Sequence, residues 1–283
     1  MKEFRADLHC HSTCSDGSLT PEQLVKLAVE IGLSGLSISD HDSIAAYSTA
    51  LPLAQGLGLE MISGAEFSAV HGDVSVHILG YSFDLNSTAI HHFCQKHHQR
   101  RENRNRAILE KLKEHKMPVT ENELMQSASE QEPNLRRTIG RPHIAQVMIK
   151  KGYVHTVSEA FQKYLGETKS CYAPGESYSV EETIDVIHQA NGLAFIAHPH
   201  LMENQGTLNS LLKMNFDGLE GYYAKFPSQQ HQRWLKIAEK KGWLISGGSD
   251  FHGDIKPNIP LGCSWVDEKT FRQLQDHFKN NLQ

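Results

Sequence analysis

The sequence predicts an α/β protein: seven strands in a mostly parallel sheet or barrel, interrupted by a helical insertion. Three observations carry this. Short apolar runs alternate with amphipathic helical patterns in the first and last thirds of the chain. The middle third has helical periodicity and few strand signals. Polar residues with metal-ligand chemistry fall just after the apolar runs, on the face where parallel α/β folds assemble their sites.

The elements follow in order. Residues 6–11 read as the first strand. A helix then opens with Thr20 as N-cap, Pro21 at the first helical position and Gln23 completing a capping box. Leu24, Leu27, Ala28 and Ile31 keep its apolar stripe and Gly32 ends it. Residues 35–39 form the second strand, and 60–67 and 74–81 the next two. Ser179 and Glu182 form a second capping box, with a helix running to about 190 before Asn191-Gly192. Residues 193–197, 217–222 and 243–248 supply three more strands. Between the halves, residues 91–116, 121–128, 142–151 and 158–165 read as helices. The domain division is therefore 1–87 as the first part of the α/β body, 88–168 as a helical insertion capping the substrate, and 169–283 as the second part. Two domains in series is disfavoured, because neither half offers a complete sheet.

Placing the polar residues on these strands gives a constellation. His9 and His11 are two apart, so on a strand both point the same way while Leu8 and Cys10 point the other. Asp16 follows in the loop. His41 follows the second strand, Glu66 lies near the end of the third, His77 is in the fourth, and His198 ends the fifth. Asp250 and His252, again two apart, follow the seventh. Six imidazoles and three carboxylates suit Zn²⁺, Mn²⁺ or Fe²⁺. They exceed what one ion needs and fit two or three. Such paired ions can clamp a phosphoryl group and lower the pKa of bound water. A lone HxH is weak; the ordered set is specific.

DLHCHSTCSDG, SISDHDS, GAEFS, HILGY, IAHP and GGSDFHG resemble the ordered motifs of the PHP (polymerase and histidinol phosphatase) superfamily. The resemblance covers both α/β parts. It implies a distorted seven-stranded (β/α) barrel with a trinuclear cleft, manganese first, zinc or iron as alternatives. By the same resemblance, His9, His11, Glu66 and Asp250 would hold one ion. Glu66, His77 and His198 would hold a second, with Glu66 bridging. Asp16, His41 and His252 would hold a third. A metal-activated water is then the nucleophile, with no separate side-chain nucleophile. Asp7, Asp40 and Asp42, beside ligands, are candidates either for accepting from ligand imidazoles or for strand-end capping. Glu220 is open between support of a ligand and a buried structural carboxylate. His200 is expected to face solvent.

Seven of the ten arginines fall between residues 100 and 141: Arg100, Arg101, Arg104, Arg106, Arg136, Arg137 and Arg141. Arg101 and Arg104 share a helical stripe with Ile108 and Leu112, which orients them towards the protein body. Guanidinium forks match phosphate oxygens, and Gly140-Arg141-Pro142-His143 opens a helix able to receive an anion. Arg104, Arg141 and His143 are therefore the candidate substrate-phosphate contacts. The insert with RxxR, GRPHIA and YLG resembles the branch containing nucleoside 3′,5′-bisphosphate phosphatases, which also includes 5′–3′ exoribonuclease activity on short 5′-monophosphorylated RNA. The resemblance implies a metal-dependent phosphatase removing the 3′-phosphate of a nucleoside 3′,5′-bisphosphate. The exoribonuclease is the nearest rival, then histidinol-phosphate phosphatase, and last a non-catalytic metal-binding module.

Composition sets the outer limits. The chain has 283 residues, 28 Lys+Arg against 33 Asp+Glu, a net charge of −5, and 18 His. A mildly acidic surface argues against coating long duplex nucleic acid. A small phosphorylated nucleotide or short RNA fits better. No apolar run spans a membrane and the start has no secretory h-region. The cysteines, Cys10, Cys14, Cys94, Cys171 and Cys263, are odd in number without CxxC spacing, so free thiols in the cytoplasm are expected. His71, His115, His155, His188, His231 and His277 read as surface residues, as do His91, His92, His97 and His98 on the insert. Oligomeric state is left open.

Overall fold

The structure is a computed structural model and describes residues 3–129, 138–174, 177–224 and 226–281. Arg136 and Arg137 lie outside the described residues. Chain contacts divide the protein into two compact units, Met1–Cys94 with Tyr178–Gln283, and Gln95–Ser177.

The first unit is mixed α/β. Strands β1 (Ala6–Cys10), β2 (Gly35–Ile38) and β3 (Glu60–Met61) form a parallel three-stranded sheet. Helix α1 (Pro21–Glu30) joins β1 to β2 and has the expected reciprocal capping box at Thr20 and Gln23. Helix α2 (Tyr47–Leu57), which the apolar pattern does not announce, carries Pro52 in its interior. A second sheet has the order β4 (Gly64–His71), β5 (Val74–Tyr81), β6 (Leu193–Ile196), β7 (Gly218–Tyr223) and β8 (Leu244–Gly248).

Two features differ from the sequence reading. The expected strand 60–67 is divided into β3 and β4, giving eight strands in two sheets among the described residues. Ile62 still bonds β2 through Leu36 O, whereas the Ser63 hydroxyl donates to Phe83 O and Ser63 O accepts from Ser82 N, so the chain changes sheets there. In addition, β5 runs antiparallel to both β4 and β6. The cause is a two-residue turn, Gly72-Asp73, in which Gly72 takes φ +59° without a Cβ penalty. That hairpin prolongs β4 to His71, so Glu66 is its third residue and not near its end.

Backbone bridges join the edges of the two sheets. Cys10 pairs with Phe251, and His41 pairs with Glu66. The side chains between are apolar: Ala6, Leu8, Leu79, Tyr81, Phe195, Phe271 and Leu274 form one buried cluster. Phe271 and Leu274 come from α10 (Glu268–Asn281). On the outer side, α7 (Val180–Gln189), opened by the Ser179–Glu182 capping box, packs Ile184 and Ile187 against Phe67 and Ile78. Helices α8 (Gln205–Leu211) and α9 (Ser228–Lys241) complete that layer with Leu208 and Trp234.

The second unit is helical. Helix α3 (Thr88–Glu114) crosses the division, followed by α4 (Glu121–Ser129), α5 (Arg141–Lys150) and α6 (Val157–Ala160), which continues as a π turn to Leu165. Ile108, Leu112, Ile144, Met148 and Leu165 make its own core. Among the described residues no helix is long and apolar enough to cross a membrane. The five cysteines are free thiols.

Candidate metal centre

All nine expected ligands lie in the first unit, and pairing at the sheet edges brings them together. His11 N donates to Phe251 O and Asp250 N to His9 O, at 2.9 and 2.7 Å, which sets the HxH pair beside Asp250. Asp42 N donates to Glu66 O at 2.9 Å and Glu66 N to Asp40 O at 3.2 Å, which sets His41 beside Glu66. Glu66 faces Leu79 across the hairpin, so His77 is its diagonal neighbour on the same face.

Glu66 is the hub. Its Oε2 lies 3.3, 3.2 and 3.1 Å from His9 Nε2, His11 Nε2 and His41 Nδ1. Its Oε1 lies 2.8 Å from His77 Nδ1 and 2.9 Å from His198 Nε2. Asp250 Oδ1 lies 3.5 Å from His9 Nε2 and 3.3 Å from His11 Nε2. Asp16 Oδ1 is 3.4 Å from His252 Nε2, and its Oδ2 is 3.8 Å from His41 Nε2. Three groups offer ligand atoms mutually within 4.8 Å: His9, His11, Glu66 and Asp250; His11, Asp16, His41 and His252; and His41, Glu66 and His77. His198 is 3.3 Å from His77 and joins the last group through Glu66. His11 and His41 thus each belong to two groups, a sharing the resemblance did not include.

The residues fit divalent cations on two grounds. Buried His9 Nε2, His11 Nε2, His41 Nδ1 and Asp16 Oδ1 make no hydrogen bond. Unsatisfied buried polar atoms are rare and costly, and here the three nitrogens converge on Glu66 Oε2 while Asp16 Oδ1 faces His252. The carboxylates are also held ionised. Burial alone would raise Glu66, but His77, His41 and His9 keep it well below the usual range. Asp250 is likewise lowered by Lys256, His9 and His252, and Asp16 by His41 and His252, in each case against burial. Nitrogen and carboxylate donors of this mix suit Zn²⁺, Mn²⁺ and Fe²⁺.

Supporting groups fix the ligands. Glu220, buried on β7, accepts from His9 Nδ1 at 2.8 Å and from His198 N at 2.7 Å, so it holds the ring of one ligand and the backbone of another. Asp7, Asp40 and Asp42 accept from backbone and hydroxyl donors. Asp7 accepts from the backbone of His9, Ser249 and Gly262. Asp40 accepts from Ser12 N, Ser12 Oγ and Ser15 Oγ at 2.7, 2.6 and 2.6 Å, which folds the loop to Asp16. Asp42 accepts from Ser68 N and Oγ. His198 and Asp250 have φ +27° and +55°, a backbone region side chains rarely adopt, and costs of this kind collect at functional sites.

Two expectations about histidines are corrected. His200 does not face solvent: its ring lies 5.8 Å from Tyr223, 5.5 Å from Phe226 and 5.4 Å from Trp234. Tertiary packing of the Pro199–Leu201 turn onto β7 and α9 puts it there. His97 is fully buried because it falls on the same face of α3 as buried Arg101 and Arg104. His91 and His92 are exposed. Tyr223 and Lys256, which no local signal singled out, both contact Asp250 Oδ2, at 2.8 and 2.6 Å.

The candidate substrate contacts belong to the second unit. Arg104 is buried on α3. Arg141 opens α5, donates to Leu165 O at 3.2 Å and lies over the Phe161 and Tyr172 rings at 5.6 and 5.4 Å. His143 Nδ1 accepts from Gly140 N at 3.1 Å and caps that helix.

The PHP domain family model matches residues 7–190, more than half of the chain. A 5′–3′ exoribonuclease of Salmonella typhimurium is 32% identical over 92% of this chain and 87% of its own length. A 3′,5′-nucleoside bisphosphate phosphatase of Chromobacterium violaceum is 29% identical over 87% and 86%. A solved structure from Bifidobacterium adolescentis, assigned as a metal-dependent phosphoesterase, superposes with TM-score 0.86 at 33% identity over 96% of both chains. The mixed α/β architecture, the convergent His/Asp/Glu cluster and these relatives together make the chain a member of the PHP domain family and a metal-dependent phosphoric-ester hydrolase.

Proposed function

We propose that this protein hydrolyses the 3′ ester of a 5′-phosphorylated nucleotide. The observation that carries the reading is the cluster around Glu66, where five imidazoles converge on one buried carboxylate. The leading substrate is a short 5′-monophosphorylated RNA, trimmed from its 5′ end. The greater identity and coverage of the exoribonuclease relative support this order. A nucleoside 3′,5′-bisphosphate is the one-nucleotide case. In both, water adds across the bond between phosphorus and the 3′ oxygen. A nucleoside 5′-monophosphate leaves, with phosphate or a shortened 5′-phosphorylated RNA as the other product.

Two or three divalent ions, manganese first, would be held by His9, His11, Asp16, His41, Glu66, His77, His198, Asp250 and His252. When bound they neutralise the scissile phosphate and acidify water. The protein contributes position. His9 and His11 side chains are 0% exposed and that of His77 is 30%, so phosphate enters over His77 and the floor stays dry. Glu220 fixes the His9 tautomer by taking its Nδ1 proton in a hydrogen bond. Arg104, Arg141 and His143, all in the helical insertion, are proposed to bind a substrate phosphate. The distorted barrel of the family is supported by the two bridges between the sheets. Free thiols support a cytoplasmic setting.

Phosphate release and product chromatography over a 5′-phosphorylated tetraribonucleotide, a nucleoside 3′,5′-bisphosphate and histidinol phosphate test the reading. Preference for the first two is expected. Activity confined to histidinol phosphate overturns it.

A further inference from the structure

Lys256 is the one lysine or arginine paired with the nine-residue cluster among the described residues. Its ammonium contacts Asp250 Oδ2 at 2.6 Å, while its side chain is 41% exposed. Asp250 Oδ2 is already held by the Tyr223 hydroxyl at 2.8 Å, and Tyr223 is buried. Oδ1 of the same carboxylate faces His9 and His11. Asp250 is therefore anchored without the lysine. Of its two Oδ2 partners, only Lys256 has a partly exposed four-carbon stem that can turn elsewhere.

The loop carrying Lys256 is built. Gly253 has φ +63°, and a Cβ there would fall 1.9 Å from Ser18 Oγ, so glycine is required for the turn to close on the Asp16–Ser18 loop. Asp254 N donates to Ser18 Oγ at 2.9 Å and Lys256 N to Gly253 O at 3.0 Å. These bonds start the lysine stem within four residues of His252 and return its tip over Asp250.

We propose that Lys256 is a phosphate-contacting residue, moving its ammonium from Asp250 Oδ2 to a non-bridging oxygen of the scissile phosphate. The chemistry is charge balance. Asp250, Asp16 and Glu66 attract the Lys256 ammonium; divalent cations held by those carboxylates would offset that attraction, and a phosphate oxygen is then the better partner. A compact ammonium on a mobile stem can make that exchange. Asp250 keeps its Tyr223 bond throughout, so its orientation does not change.

The inference rests on phosphoesterase chemistry at this cluster, and not on the identity of the nucleotide. The test is calorimetry of manganese-loaded protein with inorganic phosphate, together with Mn²⁺ titration of stripped protein, for wild type, Lys256→Met and Lys256→Arg. Lys256→Met should weaken phosphate binding roughly ten- to hundredfold. Mn²⁺ binding should be unchanged or tighter, because a competing charge is gone. Lys256→Arg should recover most of the phosphate affinity. Unchanged phosphate binding in Lys256→Met overturns the proposal. So does weakened Mn²⁺ binding with phosphate affinity restored at saturating Mn²⁺, which would make Lys256 only a support for Asp250. A wrong substrate assignment shows differently: wild type would not turn over 5′-phosphorylated nucleotides, yet phosphate binding would still depend on Lys256.

Discussion

Glu66 concentrates the chemistry of the centre in one side chain. Five imidazoles lie within 3.3 Å of its two oxygens, and it is 1% exposed. Glu66→Gln keeps the shape and removes the charge. It should lower turnover by at least ~10²-fold, with reduced metal content by elemental analysis and an unchanged circular dichroism spectrum. Glu220→Gln acts one step back, through His9 and His198. It should weaken metal binding by roughly 10- to 100-fold, and excess metal should restore most of the activity. Equal metal affinity in the variant would leave Glu220 a structural carboxylate. The candidate pairs His9/His11 and Asp250/His252 stand out in sequence because their spacing is local, an HxH on a strand and Asp and His two apart after another, whereas Asp16, His41, Glu66, His77 and His198 are proposed from strand ends and family motifs. The roles of Glu220, Tyr223 and Lys256 were not readable from sequence, since each depends on which strand ends meet. Asp7, Asp40 and Asp42 show the same limit. Adjacency to a ligand made them candidates for imidazole support, but their oxygens serve backbone and hydroxyl donors.

Elements with chemical punctuation were the most legible. The Thr20 and Ser179 capping boxes start α1 and α7 where the sequence places them. The strand reading was weaker because an apolar run does not reveal direction or a change of sheet. Met61, Ile62, Ala65 and Phe67 read as one strand over 60–67, yet the chain switches partners at Ser63 and reverses after Gly72. Helix α7 also carries a pH-dependent contact. His188 Nε2 donates to Asp217 Oδ2 at 2.7 Å, and that hydrogen bond raises the His188 pKa above its ordinary value. The protonated ring is favoured in the folded state, so the contribution is full below the unfolded value of about 6.5. It is lost as pH rises through the folded value. His188→Gln should therefore cost more stability at pH 5.5 than at pH 9 in denaturant titrations. An equal cost at both would remove the ionic component.

At the scale of the molecule, the sequence reading places a helical insertion at 88–168, while chain contacts set off Gln95–Ser177 as the second unit. A net charge of −5 concealed two opposite concentrations. Three ionised carboxylates lie among six histidines in one unit, and buried arginines line α3 in the other. Burial of His97 and the packing of His200 among aromatic rings could not be read in advance, because helix faces and turns acquire neighbours only on folding. The most direct measurement is product analysis on a 5′-phosphorylated tetraribonucleotide, using chelator-stripped protein before and after addition of Mn²⁺. No product without metal is expected, and with it nucleoside 5′-monophosphate plus a shortened, 5′-phosphorylated RNA. Undiminished cleavage by stripped protein, or products ending in a 3′-phosphate, would contradict hydrolysis of the 3′ ester at this centre.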